Sequence, residues 1–268
     1  MKYINYLKNK NLAPNTITTY LVNIEKWLLF LNHRVANKKL LVTFINQYAK
    51  NHAPNSVKLM FATIMSYLKF QKAEKLIEDC QDIRLPSQML ANKNIITIEE
   101  YELAKLKFTN LKTWYQKRNW LIFSILFTTG IRASELNQIK KNAIIDQSII
   151  IKGKGNKNRQ VFLGNYLVSL LNKWRSNQIN INKQHKQISY KQINLIIKTI
   201  TKQCFQKNLS PHDLRRSYAT NLLRNGVDLK TIALLLGHNN INTTSRYIFF
   251  TKDEIHLNIK HLFEEKLI

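Results

Sequence analysis

Ser210-Pro211-His212-Asp213-Leu214-Arg215 is the stretch on which the reading of this chain turns. Ser210 is a favoured helix cap and Pro211 suits a first turn, so a helix begins here. His212 and Arg215, three residues apart, then share one helical face. Both lie near a helix N-terminus, where main-chain N–H groups and the dipole favour an anion. Downstream come Leu236-Gly237-His238 and, nine residues after His238, Tyr247. Upstream lie Thr129-Gly130-Ile131-Arg132-Ala133-Ser134-Glu135-Leu136 and Gly153-Lys154-Gly155. Together these strings supply two arginines, two histidines, one lysine and one tyrosine.

Outward from that stretch the signal is mostly helical. Apolar periodicity predicts helices over 166–174, 190–205, 211–224 and 229–236. Residues 120–127 are apolar except for Ser124, which predicts a buried helix ended by Gly130 as its C-terminal cap. Thr97 and Glu100 have the spacing of a capping box and start a helix. Ile144 with Ile145, then 148–151 and 160–163, read as strands, the last two joined by a Gly- and Lys-rich turn at 153–158. Asn242, Thr243 and Thr244 mark a helix start just before Tyr247. A second capping box, Thr251 with Glu254, opens a last helix with Ile255, Ile259, Leu262 and Phe263 on one side.

Residues 1–82 read as a small helical domain. Ala13-Pro14-Asn15-Thr16 opens a helix, with Asn and Thr available as caps, and Ile17, Tyr20, Leu21, Ile24, Trp27, Leu28 and Leu31 line one stripe. Leu41, Phe44, Ile45 and Tyr48 mark another stripe. Ala53-Pro54-Asn55-Ser56 repeats the start signal ahead of Val57, Met60, Phe61, Ile64 and Leu68. Periodicity is lost over 83–96, which carries Pro86 and reads as a linker to a second domain at 97–268. The expected fold is mainly α with one small antiparallel β-sheet.

Lys and Arg number 42 against 16 Asp and Glu, a formal charge of +26. A body this positive suits a polyanion, and duplex DNA offers one charge per about 1.7 Å of axis. A membrane surface is the competing partner, but no long basic amphipathic helix with a clean apolar face is evident. The longest apolar run is too short to span a bilayer, and the N-terminus has no hydrophobic signal region. Cys80 and Cys204 are isolated, which fits neither a disulfide framework nor a zinc cluster. These features predict a cytosolic protein without metal or redox cofactor.

The residue kit fits phosphoryl chemistry. An arginine fork donates two parallel hydrogen bonds to phosphate oxygens. Two such forks, from Arg132 and Arg215, neutralise a pentacoordinate phosphorane better than the starting diester, and that difference accelerates the reaction. Tyr247 is the candidate nucleophile; a free phenol has a pKa of about 10, so it needs a base or nearby cations. His212 is placed to exchange that proton, and Lys154 on its turn to protonate a departing 5′ oxygen. Glu135, three residues after Arg132, either orients that arginine or caps a helix. Taken singly, each residue has a plain structural reading; the joint pattern, in one order with fitting spacings, carries the inference.

These strings resemble the tyrosine recombinases, in particular their short Xer-like branch, over nearly the whole chain. Thr-Gly-Ile-Arg-Ala-Ser-Glu-Leu resembles the family's first arginine box, at Arg132. Gly-Lys-Gly-Asn-Lys resembles its hairpin lysine, at Lys154. His212 with Arg215 matches the second box, and Leu-Leu-Gly-His followed by Tyr gives His238 and Tyr247. Arg216 stands where Xer-like proteins often carry His, outside the catalytic set. The resemblance implies an N-terminal SAM-like core-binding domain and a C-terminal catalytic domain clamped around double-stranded DNA at a specific recombination site. It further implies a 3′-phosphotyrosine, a Holliday junction in a homotetramer or a heterotetramer with a paralogue, and a last helix docking on a neighbouring subunit. No cofactor is implied, and a regulatory DNA translocase is an implied partner. Chromosome-dimer resolution, inversion and integration are the roles open to it; an arm-binding domain of the large phage-integrase kind is not evident. A type IB topoisomerase-like enzyme and a non-catalytic DNA-binding protein are the alternative readings.

Overall fold

A computed structural model of the chain describes residues 2–86, 94–153, 158–182, 184 and 186–237. The chain divides into two compact units, at residues 1–91 and 92–268.

The first unit is helical: α1 (Tyr3–Asn9), α2 (Pro14–Leu31), α3 (Lys38–Lys50), α4 (Pro54–Phe70) and α5 (Glu74–Asp79). Its core gathers Leu7, Trp27, Leu41, Met60, Ile64 and Leu68, all almost fully buried. The stripe on α2 is narrower than its sequence suggests, because Leu28 is 43% exposed and Tyr20 and Leu21 are only partly buried. The two Pro-led helices start as expected at Pro14 and Pro54, but the caps are Ala13 and Ala53, with no side-chain cap bond. Asn15 and Thr16 lie inside α2, where Thr18 and Thr19 hydroxyls donate back to the Pro14 and Asn15 carbonyls. Proline's fixed φ and missing N–H make the start without a capping oxygen. Short α1 and α5 carry too little periodicity to be read in advance. Tyr3 ties α1 to α4 through a 3.1 Å bond to Ser66 Oγ.

The second unit is built around α7 (Trp114–Thr129). Residues 120–127 of α7 are buried on every side, as befits a helix apolar all round. Around it lie α6 (Ile98–Lys107), α8 (Asn165–Lys173), α9 (Tyr190–Phe205) and α10 (Pro211–Arg224), with α11 (Leu229–Leu236) packed on α10 and β2. The Thr97 box is present, with Thr97 Oγ1 accepting from the Glu100 N–H at 3.2 Å and Glu100 Oε2 accepting from the Thr97 N–H at 2.9 Å. Thr113 with Gln116 and Ser189 with Gln192 make two more boxes of the same design.

Strands β1 (Ser148–Lys152) and β2 (Asn158–Phe162) pair antiparallel, with Ile149 opposite Val161 and Ile151 opposite Arg159. Ile149, Ile151 and Val161 face the core. The expected strand at Ile144 and Ile145 is instead one arm of a tight turn. Ile145 and Ser148 exchange main-chain hydrogen bonds at 2.9 and 2.8 Å, and Asp146 and Gln147 between them take φ of 45° and 58°. Two consecutive left-handed residues reverse the chain too sharply for a strand to extend. The sheet is therefore two-stranded among the described residues.

The backbone arriving at α6 is fixed to α10 and to the segment between α9 and α10. Ser217 Oγ accepts from the Ile96 N–H at 3.0 Å, and Asn221 Nδ2 donates to the Ile96 carbonyl at 2.9 Å. Arg216 donates to the Asn94 carbonyl at 3.2 Å, and Lys207 donates to the Ile95 carbonyl at 2.7 Å while pairing with Glu100.

Candidate active site

The site is assembled at the C-terminal end of α7. Gly130 caps that helix with φ +62°, a left-handed conformation that side chains disfavour. Space also requires glycine, since a Cβ there would lie 2.3 Å from Tyr218 Cδ1. The chain then turns through Ile131 into a 3₁₀ turn at Ala133–Gln138, for which Arg132 is the capping position. The helix that Glu135 was expected to cap is this short 3₁₀ turn.

Glu135 bonds both to the Arg132 main chain, capping the turn, and to the Arg132 side chain. Its Oε2 accepts the Arg132 N–H at 2.7 Å and its Oε1 accepts Arg132 Nη1 at 3.0 Å. Arg159, on β2, adds a two-pronged contact, Nη1 to Oε1 at 3.1 Å and Nη2 to Oε2 at 2.6 Å. The Glu135 and Arg159 side chains are 7% and 9% exposed, whereas that of Arg132 is 37% exposed. Burial pushes the Glu135 carboxyl up, but the Arg159 and Arg132 hydrogen bonds and the Arg159 charge outweigh it, holding it below the usual range. One carboxylate thus serves two guanidiniums and leaves a local excess of positive charge.

The Ser210 cap is as expected: Ser210 Oγ accepts the Asp213 N–H at 3.3 Å, and Asp213 Oδ2 accepts the Ser210 N–H at 3.0 Å. His212, in the first turn of α10, is exposed. Arg215, three residues on, departs from expectation in direction. It runs inward, only 2% exposed, donating from Nη1 to the Gly130 carbonyl at 2.7 Å and from Nη2 to the Leu236 carbonyl at 2.5 Å. Those carbonyls terminate α7 and α11, where the helix dipole is negative and a cation is favoured. The α10 N-terminus already holds the Asp213 carboxylate, so the anion-favouring role expected there is partly met from within.

Tyr218 fills the space behind Gly130. Burial pushes its phenol up, against the pull of the nearby Arg159 and Arg215 charges. Arg216 is buried, within 3.5 Å of Asp213 Oδ1 and bonded to the Asn94 carbonyl, so it faces away from the Gly130 turn toward the start of the unit. Gln138 fastens the 3₁₀ turn to the end of β1, donating to the Lys152 carbonyl at 2.9 Å and accepting the Lys152 N–H at 2.7 Å.

Of the residues singled out, Arg132, Glu135, His212 and Arg215 are described and lie in one unit; Lys154, His238 and Tyr247 lie outside the described residues, as does the helix expected after Thr251. Arg159 was not anticipated. Its signal is period two: Arg159, Val161 and Leu163 fall on one strand face, and the other two are core residues. A charge at a core-facing position demands a buried partner.

A sequence profile of the phage integrase family matches residues 96–254, and that of the phage integrase N-terminal SAM-like domain matches residues 1–75. The chain belongs to the phage integrase family. As a member it is a tyrosine-type recombinase, an enzyme of DNA strand transesterification. Among its relatives is the tyrosine recombinase XerD of Staphylococcus saprophyticus, 30% identical over 95% of this recombinase and 94% of that protein. Its fold is shared by the XerH recombinase in a post-cleavage complex with palindromic difH substrate. That match has a TM-score of 0.75 and 22% identity, over 94% of this chain and 81% of that one. A lambda integrase tetramer bound to a Holliday junction matches with TM-score 0.72 and 17% identity, over 92% and 75%. Among the described residues of this recombinase no helix is long and apolar enough to cross a membrane, and no group of His, Cys, Asp and Glu side chains is arranged to hold a metal ion.

Proposed function

We propose that this recombinase cuts and rejoins duplex DNA at a specific site through a covalent 3′-phosphotyrosine on Tyr247. The observation that carries the reading is the convergence of two arginines on one turn: Arg132 follows Gly130 by two residues, and Arg215 donates to the Gly130 carbonyl at 2.7 Å. Around that turn Arg132 and Arg215 stabilise the charge that builds on the phosphoryl oxygens as Tyr247 Oη attacks. The phosphorus–tyrosine bond forms as the bond to the 5′ oxygen breaks. His212 takes the phenol proton, Lys154 gives one to the leaving oxygen, and His238 completes the set by resemblance. The phosphodiester energy is kept in the new ester, so rejoining needs neither ATP nor metal.

The released 5′-OH then attacks the phosphotyrosine of a partner strand, and two such rounds pass through a Holliday junction in a tetramer. The Holliday-junction complex of lambda integrase and the post-cleavage complex of XerH support this sequence. Residues 1–82 take the role of core-type DNA-binding domain, 83–96 of linker, and 97–268 of catalytic domain, with the helix after Thr251 for subunit contact. Chromosome or plasmid dimer resolution, DNA inversion and integration are the roles this chemistry serves.

A nicked duplex carrying candidate sites, incubated with wild type and Tyr247→Phe without metal, tests the chemistry on a denaturing gel. Attachment of protein to the 3′ end by wild type alone is the expected result. Attachment by Tyr247→Phe as well, or by neither on DNA that is demonstrably bound, refutes the assignment. Joints between two duplexes then separate recombination from relaxation alone.

A further inference from the structure

Arg159 carries more than its ion pair. Among the described residues its buried Nε has no hydrogen-bond partner. Beyond Glu135, it lies against Gly237: a Cβ on that glycine would stand 3.1 Å from Arg159 Cδ and 3.2 Å from Nη1. Gly237 ends α11 with φ +65° and immediately precedes His238. Arg215 donates to the carbonyl of Leu236, the residue before Gly237. Arg159 also stands on β2, five residues after Lys154 in the sequence. One side chain therefore joins the Glu135–Arg132 pair, strand β2 and the Gly237 cap of α11.

A purely stabilising role fits poorly. A buried ion pair is often no better for stability than apolar residues of the same volume. Only the planar fork reaches both oxygens of Glu135, leaving Oε1 and Oε2 in register for Arg132. Lysine would supply the charge at one point and leave the carboxylate free to rotate.

We propose that Arg159 is a positioning residue for DNA cleavage, locking Glu135 so that Arg132 is aimed at the scissile phosphate and bracing the Gly237 cap of α11. This rests on the phosphotyrosine reading above. A misplacement of about 1 Å in such a constellation can cost on the order of 100-fold in rate.

The test is single-turnover attachment to the nicked duplex at saturating protein, for wild type, Arg159→Lys and Arg159→Ala, with DNA affinity measured alongside. The expected result is a cleavage rate about 10- to 100-fold lower in both variants, with affinity changed less than about threefold. Added guanidinium chloride at low millimolar concentration, but not ammonium chloride, restores part of the Arg159→Ala rate. Arg159→Lys keeps the charge and stem, so it serves if Arg159→Ala does not fold. Rates like wild type in Arg159→Lys, loss of affinity in step with rate, or equal rescue by both salts overturns the proposal. If wild type itself attaches no DNA, the phosphotyrosine reading fails instead, and the two failures are told apart.

Discussion

Glu135 is the residue on which the local charges are balanced, and its substitution has a two-part outcome. Glu135→Gln keeps the shape but removes the charge between two guanidiniums. Breaking a buried pair of this kind costs about 3–5 kcal/mol, which urea unfolding at neutral pH measures. Because the folded-state pKa of Glu135 is depressed, its contribution is fully present above the unfolded value of about 4.3 and is lost as pH falls through the lower folded value. The gap between wild type and Glu135→Gln is therefore constant from neutral pH down to about 5 and closes below about 4.3; a gap independent of pH contradicts the assignment. Gly130→Ala meets both a left-handed backbone and the Tyr218 ring. The backbone alone costs roughly 1–2 kcal/mol, so a loss of at least about 2 kcal/mol is expected from the same measurement. At this scale Gly130, Arg132 and Glu135 were legible in the sequence because they sit in a contiguous string. Arg159 and Tyr218 were not, since what recruits them is spatial: a carboxylate 24 residues upstream for Arg159, the bare face of a glycine for Tyr218.

Elements whose start signals are chemical were legible almost to the residue. The Thr97 box and the Gly130 cap both bound their helices as read, and so does Ser210. Thr97→Ala removes a cap bond that nothing else supplies at that position and should lower stability by about 1 kcal/mol, read as a shift of the urea midpoint without change in slope. Where the signal was composition alone, legibility failed. Ile144 and Ile145 are β-branched, yet the two left-handed residues after them fold the chain back at once. Asn15 and Thr16 are good capping residues, yet Pro14 starts its helix two positions too early for Asn15 to serve and three for Thr16. Propensity yields to whichever neighbour fixes the backbone first.

Across the whole molecule the charge of +26 dominates. Binding to duplex DNA should fall linearly with the logarithm of salt concentration, with slope about −0.9 per phosphate contacted. For roughly 6–10 contacts, affinity between about 50 and 200 mM salt drops on the order of 10³- to 10⁵-fold; a titration with little salt dependence contradicts a polyanion partner. The mainly helical character, the two units and the family were legible in the sequence, because periodicity, charge and ordered motifs each survive without coordinates. The direction of Arg215 was not, because whether a side chain on a helix's first turns looks out or in depends on which carbonyls another helix brings to it.

The Ile96 amide has an unusual guardian. Its hydrogen is held by the Ser217 hydroxyl, on the helix that carries His212 and Arg215, and not by a neighbouring main chain. Its exchange with deuterium therefore records whether α10 is in its place. Slow exchange in wild type, and much faster exchange in Ser217→Ala with α7 amides unchanged, would turn this one proton into a clock for motions of the active-site helix, timed at the point where the chain joins the second unit.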